Sequence, residues 1–372
     1  MKDNPLKKLE ALGQSIWLDY IRRDLIESGE LQRLIREDGL RGMTSNPSIF
    51  EKAIAESHIY DQNIRNIALK KKDVKEIYEA LSQSDVQNAA DEFRAVYDET
   101  DGKDGYVSLE VNPHLAHDTK GTIEEARRLW AALNRPNVFI KVPATSDGLP
   151  AIRQLISEGI NINATLLFGL PRYRQVAEAY IAGLEARVDQ GKPVKQIASV
   201  ASFFLSRIDT LLDPLVEKII ESGSKESEIA KKVHGQVAIS SAKVAYQIYK
   251  EIFGSARFKK LADKGARIQR LLWASTSNKN PDYSDVKYIE ALIGPDTVNT
   301  VPLETINAYR DHGDPKPRLE QKVKEANWIM AQLPELNTDI DKVTQQLEDD
   351  GVNKFDDPFD KLMDTLTRKS SE

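Results

Sequence analysis

The chain has 372 residues, enough for one large α/β domain or two smaller ones. Its make-up, 40% hydrophobic and 30% charged, is that of an ordinary globular protein, and the net charge of −6 leaves no basic footprint for nucleic acid. The absence of cysteine removes disulfides, thiolate metal sites and thiol nucleophiles. The first residues lead into an amphipathic run rather than a signal-peptide core, and no apolar run reaches membrane-spanning length, so the expectation is a cytoplasmic enzyme. Five scattered histidines make a metal site a weak expectation.

In chain order, residues 6–12 read as a short helix ending at Gly13, and 15–19 as a strand finishing on Asp19. Helical sequence follows to Asp38, and 42–45 is a short strand entering the turn Asn46-Pro47-Ser48, where a helix starts. Two helices are expected over 51–72 and 73–98, the second with Val74, Ile77, Tyr78 and Leu81 at helical spacing. From Tyr106 onward strand and helix alternate strictly. Strands are expected at 106–111, 138–142, 160–167, 197–202, 270–274 and 297–301. The helices between and after them are expected at 122–133, 148–157, 171–188, 205–253, 284–293 and 303–311.

Eight strands, each followed by helix, predict a parallel sheet closed on itself: an α/β protein, a (β/α)8 TIM barrel with extra N-terminal and C-terminal helices. An open doubly wound sheet would more often carry a Gly-x-Gly-x-x-Gly turn, which is absent. The charged, amphipathic residues 315–372 read as a helical cap on a single domain spanning 1–372, not as a second domain.

One strand stands out. Residues 137–145 read Asn-Val-Phe-Ile-Lys-Val-Pro-Ala-Thr, with Lys141 in the middle of an apolar run. Taken by itself this lysine has two readings, an edge-strand charge that blocks aggregation or a functional amine that burial would leave paired or unprotonated. A closed barrel has no edge. Period-two alternation sets Val138, Ile140 and Val142 against Phe139 and Lys141, Val107, Leu109 and Val111 against Ser108 and Glu110, and Ala164 and Leu166 against Asn163 and Thr165. Apolar faces should meet the helices, so Glu110, Lys141 and Thr165 should point inward from three neighbouring strands near their carboxyl ends, where barrels of this kind keep their active sites. Asp19, ending the first strand, is a candidate for the same group. The competing structural reading is a satisfied buried network of Lys, Glu and Thr.

Lysine, carboxylates and a hydroxyl in one place suit imine chemistry. A neutral amine attacks a ketone, and the iminium withdraws electrons from the adjacent carbon–carbon bond. Water must leave and protons must move, which Glu110 and Asp19 are placed to serve.

At this point the chain resembles the transaldolases, within the class I Schiff-base aldolase superfamily, and its length and helical tail resemble their longer bacterial subgroup. The matching motifs, in order, are Trp-Leu-Asp19, Thr44-Ser-Asn46-Pro-Ser, Ser108-Leu-Glu110-Val, Ile140-Lys141-Val-Pro-Ala-Thr, Asn161-Ile-Asn163-Ala-Thr165-Leu-Leu-Phe and Ser202-Phe-Phe204-Leu-Ser-Arg207-Ile-Asp. The resemblance implies that Lys141 forms the Schiff base and that Asp19 exchanges a proton with the C4 hydroxyl of the donor. It implies that Glu110, with Thr165, holds a water that relays protons during imine formation and hydrolysis. Asn46 and Asn163 would bind donor hydroxyls or the dihydroxyacetone intermediate, while Ser202, Phe204 and Arg207 would lie around the substrate and its phosphate. Its implied partners are small-molecule sugar phosphates, with no nucleic acid, membrane, cofactor or metal, for a monomer or homodimer.

One departure is evident. Many family members carry a second phosphate-binding Arg after strand seven, where this chain has Trp273-Ala-Ser275-Thr276-Ser277-Asn278-Lys279. Ser275, Ser277 or Lys279 are the candidate replacements. His114 and His117 form His-x-x-His, a spacing that suits metal but reads more readily as polar loop residues. Two rivals remain at this point: a fructose 6-phosphate aldolase, and a sugar-phosphate-binding protein that has lost catalysis.

Overall fold

The computed structural model describes residues 4–70 and 73–371. Eight parallel strands close into a barrel in chain order: β1 (Gln14–Asp19), β2 (Gly42–Thr44), β3 (Tyr106–Glu110), β4 (Val138–Pro143), β5 (Ile162–Leu167), β6 (Ser199–Phe204), β7 (Arg270–Ala274) and β8 (Thr297–Val301). From β2 to β8 every strand residue is buried, as expected where side chains fill a barrel on one face and meet helices on the other. The expected (β/α)8 architecture, with extra helices at both ends, is the one observed.

Two strands begin later than expected. The 160–167 and 197–202 segments pair from Ile162 and Ser199, because Asn161 closes the ladder below them. Its Nδ2 donates to Pro136 O at 3.1 Å and Val138 O at 3.3 Å, and its Oδ1 accepts from Ala198 N at 2.9 Å. The helices differ more. The 51–72 helix is two, Pro47–Ala55 and Asp61–Ala68, and residues 71–72 of the expected span lie outside the described residues. Between them Ser57 takes the Ile59 N–H, and Tyr60 turns inward, its hydroxyl donating to Asp85 at 2.8 Å. The 73–98 helix divides at Phe93, into Val74–Glu92 and Arg94–Glu99. Residues 205–253 form three helices, Ser206–Ser222, Ser227–Val233 and Val237–Phe253, with Gly223 and Gly235 in the left-handed region at the breaks. Only Lys287–Glu290 of the 284–293 helix forms.

The C-terminal residues do two things. Val323–Gln332 packs on the flank against Val237–Phe253. The long helix Ile340–Ser371 crosses the carboxyl end of the barrel, packing on Pro47–Ala55, Asp61–Ala68, Val74–Glu92 and β5. Among the described residues, no helix is long and apolar enough to cross a membrane.

Inside the barrel, three aromatic rings form a floor. Tyr106 and Phe139 stack with centroids 4.3 Å apart, and Trp17 stacks on Phe139 at 6.0 Å. The indole fills the space a side chain on β2 would take: a Cβ on Gly42 would fall 2.5 Å from Trp17 Cε2. Gly42→Ala should therefore cost about 1–3 kcal/mol of stability by overpacking, measured by denaturant unfolding. Unchanged stability would mean that the floor is loosely packed.

Candidate active site

Lys141 reaches the carboxyl end of β4 with its neighbours already in register. Glu110 of β3 pairs with it on one side and Asn163 of β5 on the other. Nζ lies 3.2 Å from Glu110 Oε2 and donates to the Ser45 carbonyl at 3.2 Å. Both side chains are almost wholly buried, 5% and 3% exposed, so this is an ion pair removed from water. Neither carboxylate oxygen of Glu110 has a partner in hydrogen-bonding geometry, and Thr165 Oγ1 is likewise buried without one. Burial pushes the Glu110 carboxyl above the ordinary carboxylate range, against the downward pull of Lys141, with Asp19 adding to the rise.

Just past Thr165, β5 shifts register against β6 between Ala164 and Leu167, and Leu166 adopts a positive φ of 58°. That is a strained conformation for a bulky residue, placed at the mouth of the barrel.

Asp19 ends β1 beside Thr44 of β2. Thr44 Oγ1 donates to Asp19 Oδ1 at 2.7 Å and lies 2.7 Å from Thr300 Oγ1, fixing the carboxylate from below. Burial raises the Asp19 carboxyl, while Lys141, the Thr44 hydrogen bond and Arg207 pull it back in part.

Asp19, Lys141 and Thr165 open onto one cavity of about 210 Å³, which Asn46, Ser202 and Phe204 also line. Its opposite wall is cationic and hydroxyl-rich: Arg207, Ser275, Ser277 and Lys279. Arg207 follows Ser206 at the start of Ser206–Ser222, a helix whose first turn has no side-chain cap. Its Nη1 is buried without a partner, and no carboxylate among the described residues forms an ion pair with it. Burial lowers the Arg207 guanidinium, an effect the Asp19 charge partly offsets. An unpaired guanidinium beside helix N–H groups and hydroxyls is a site for a dianion such as phosphate.

The loop after β7 is clamped to the same helix. Ser275, at φ 53°, sets its hydroxyl 2.8 Å from that of Ser206. Farther along, Tyr283 donates to Asp213 at 2.8 Å, and Tyr288 and Lys287 hold Asp209 at 2.8 and 3.1 Å. Asp209 and Asp213, one turn apart on the arginine's helix, thus fix the loop against Arg207.

The final wall is Phe355, from the helix that crosses the mouth; its ring centroid lies 5.5 Å from Lys141 Nζ. Gly351, one turn earlier, lets the helix descend, since a Cβ there would stand 3.1 Å from Leu166 Cδ2. Polar anchors hold it along its length: Glu348 to Arg172 at 2.9 Å, Asp360 to His114 at 2.8 Å, and Lys369 to Asp61 at 2.8 Å. His114 thus faces two carboxylates of this helix, Asp356 and Asp360, while His117 lies 3.4 Å from Asp147. Among the described residues no cluster of three or more acidic or histidine side chains is arranged to hold a metal.

Of the residues singled out from the sequence, Asp19, Asn46, Lys141, Thr165, Ser202, Phe204, Arg207 and Ser275 all line the cavity. Glu110 stands behind Lys141. Asn163 is fully buried and bonded at both ends, donating to Ser108 Oγ at 3.2 Å and accepting from Ser202 Oγ at 2.6 Å, so it steadies Ser202. Asn46 caps Pro47–Ala55 by accepting from Ile49 N. Thr44 and Phe355 were not singled out. Alternation along β2 carries a signal for Thr44, which sits inside a quoted motif; nothing local marks Phe355.

A buried lysine, two carboxylates and an anion-binding wall at the carboxyl mouth of a (β/α)8 barrel place the protein among barrels equipped for carbonyl chemistry on phosphorylated substrates. Sequence comparison narrows the class. A profile of the Transaldolase/Fructose-6-phosphate aldolase family matches residues 16–366. A transaldolase from Trichodesmium erythraeum is 51% identical over 373 residues, covering 99% of this chain and 98% of its own. Transaldolase 2 from Nostoc punctiforme is 48% identical, covering 99% and 98%, and a transaldolase from Frankia alni 45%, covering 98% and 97%. The chain belongs to the transaldolase/fructose-6-phosphate aldolase family.

The raised Asp19 carboxyl has a consequence for stability. A carboxyl whose pKa is higher folded than unfolded binds its proton more tightly when folded, so stability is lost as pH rises from the ordinary carboxylate value through the raised one. Asp19→Asn keeps an acceptor for Thr44 and removes this loss. Its stability relative to wild type should improve as pH rises above the ordinary carboxylate value of about 4 in urea unfolding. A difference that stays flat or moves the other way would contradict the burial of that charge.

Proposed function

We propose that the chain is a transaldolase of pentose phosphate interconversion, working in the cytoplasm through a Schiff base on Lys141. It transfers a dihydroxyacetone unit from sedoheptulose 7-phosphate to glyceraldehyde 3-phosphate, giving erythrose 4-phosphate and fructose 6-phosphate. The observation that carries the reading is the Lys141 amine, buried 3.2 Å from Glu110 and opening on a cavity whose far wall presents the unpaired Arg207.

Arg207, the uncapped helix start and the hydroxyls of Ser275 and Ser277 bind the phosphate, with Lys279 as a point charge in place of a second guanidinium. This anchors the ketose with its carbonyl toward Lys141. The amine adds to C2, and loss of water gives the iminium. Glu110, whose oxygens have only the Lys141 ion pair, and Thr165, whose buried hydroxyl has no hydrogen-bond partner, suit a water molecule that carries protons to and from the carbinolamine. Asp19 takes the C4 hydroxyl proton as the C3–C4 bond breaks, its electron pair flowing into the iminium to leave an enamine, and the first aldose phosphate departs. The enamine then attacks the acceptor aldehyde, Asp19 returns the proton to the new hydroxyl, and water hydrolyses the iminium. A carboxyl raised by burial exchanges protons near neutral pH more readily than an ordinary one. Phe355 and Phe204 keep bulk water from the enamine, which favours transfer over release.

The nearest rival is the aldolase branch of the same family, which releases free dihydroxyacetone and typically has Gln where this chain has Glu110. Borohydride reduction in the presence of fructose 6-phosphate should fix a dihydroxyacetone-derived mass on the peptide containing Lys141. Without acceptor, the enzyme should release free dihydroxyacetone slowly compared with its transfer rate. No adduct, with binding retained, would point to a sugar-phosphate-binding protein; rapid acceptor-free turnover would point to the aldolase.

A further inference from the structure

The barrel has a second cavity, at the end opposite the active site. It is about 270 Å³ in volume and mostly apolar, and Trp17, Tyr106 and Phe139 line it. These are the floor rings, two residues below Asp19, four below Glu110 and two below Lys141 on the same strands. A closed apolar cavity of about 150 Å³ already accepts benzene, so this one has room for a bicyclic ring.

Its charged groups are few and mostly cationic, and Ser199 adds a hydroxyl. Lys103, Arg267 and Arg270 line it, against the single carboxylate of Asp296. Arg270 is 5% exposed and anchored on both terminal nitrogens: Nη1 donates to Lys103 O at 3.1 Å and Asp104 Oδ1 at 2.9 Å, and Nη2 to Ser15 Oγ at 2.6 Å and Thr297 O at 2.7 Å. Its Nε is buried with no protein partner. A buried guanidinium N–H needs an acceptor, and here the side chain that carries it lines an apolar cavity. Arg267 is held more loosely, through Nε to Lys195 O at 2.8 Å and with Nη2 3.9 Å from Asp101. Lys103 and Asp296 form only an exposed pair at 3.7 Å.

The geometry points to a second ligand site here, for a small planar aromatic carboxylate. The rings lie against the Trp17–Tyr106–Phe139 floor, and the carboxylate is held by Arg267 with an oxygen toward Arg270. Open-chain sugar phosphates do not fit it, because most of the wall offers no hydrogen-bonding group. The site therefore differs from the catalytic one in position and in ligand class, and it does not depend on the reaction assigned above.

The test is a fluorescence titration with 2-naphthoate, using full-length enzyme saturated with fructose 6-phosphate. Saturable one-to-one binding, unaffected by the sugar phosphate, is expected, with 2-naphthol about ten-fold weaker for lack of the charge-assisted bond. Arg267→Ala should weaken binding of the carboxylate about ten-fold without changing that of 2-naphthol. Ala198→Phe, which fills the cavity from its wall, should abolish binding of both while transfer activity persists. If Ala198→Phe does not fold, the Arg267→Ala comparison decides alone. Absence of saturable binding, competition with fructose 6-phosphate, or affinity unchanged in Arg267→Ala would overturn the proposal.

Discussion

The burial of Lys141 beside Glu110 is the constraint on which the rest of the molecule depends. Taking an ammonium and a carboxylate out of water costs several kcal/mol for each ion, and their mutual attraction returns that only when the surroundings complete the bonding. Here they do so incompletely. Lys141 has one carbonyl, that of Ser45, and one carboxylate, while Glu110 has no partner beyond Lys141 itself. A core built only for stability would place an apolar pair at these positions. The barrel tolerates the arrangement because β3 and β4 pair in fixed register and stacked aromatic rings lie beneath them.

Along its axis the barrel changes character in layers. The Trp17, Tyr106 and Phe139 rings form an apolar floor. Above them lie the ionisable groups of Lys141, Glu110 and Asp19. Farther out comes a rim of cations and hydroxyls, Arg207, Lys279, Ser275 and Ser277, with the chemistry to hold a phosphate. The rim lies beyond the strand ladders, and tertiary pairs position it. Asp209 and Asp213 fix the β7 loop to the helix bearing Arg207, while Gly351, Glu348, Asp360 and Lys369 seat the last helix so that Phe355 covers the amine. In the proposed reading, several weaker groups held in one place stand in for a second guanidinium, which suits phosphate.

Much of this was legible in the sequence because the strands obey period-two alternation and are short, β-branched and bounded by turns. That alternation alone aimed Glu110, Lys141 and Thr165 inward. It gave the face of a residue but not its depth, which is why Asn163, on the right face, proved to be bonded behind Ser202 rather than open to the cavity. Helix periodicity carries still less position. It marked the tail as amphipathic, but nothing local says that Phe355 docks over a lysine more than two hundred residues earlier. The helix break near Tyr60 depends on a buried hydroxyl finding Asp85, and the late start of β6 on the side chain of Asn161; both are tertiary events that override local propensity.

The central claim is that Glu110 and Thr165 serve the amine by holding the proton-relaying water, rather than merely filling the barrel beside it. Rapid-quench borohydride trapping of Glu110→Gln and Thr165→Val measures this directly. The account predicts that both variants still end with the adduct on Lys141, but that it forms about 10² or more times slower in Glu110→Gln and measurably slower in Thr165→Val. Imine formation at the wild-type rate in both would contradict it.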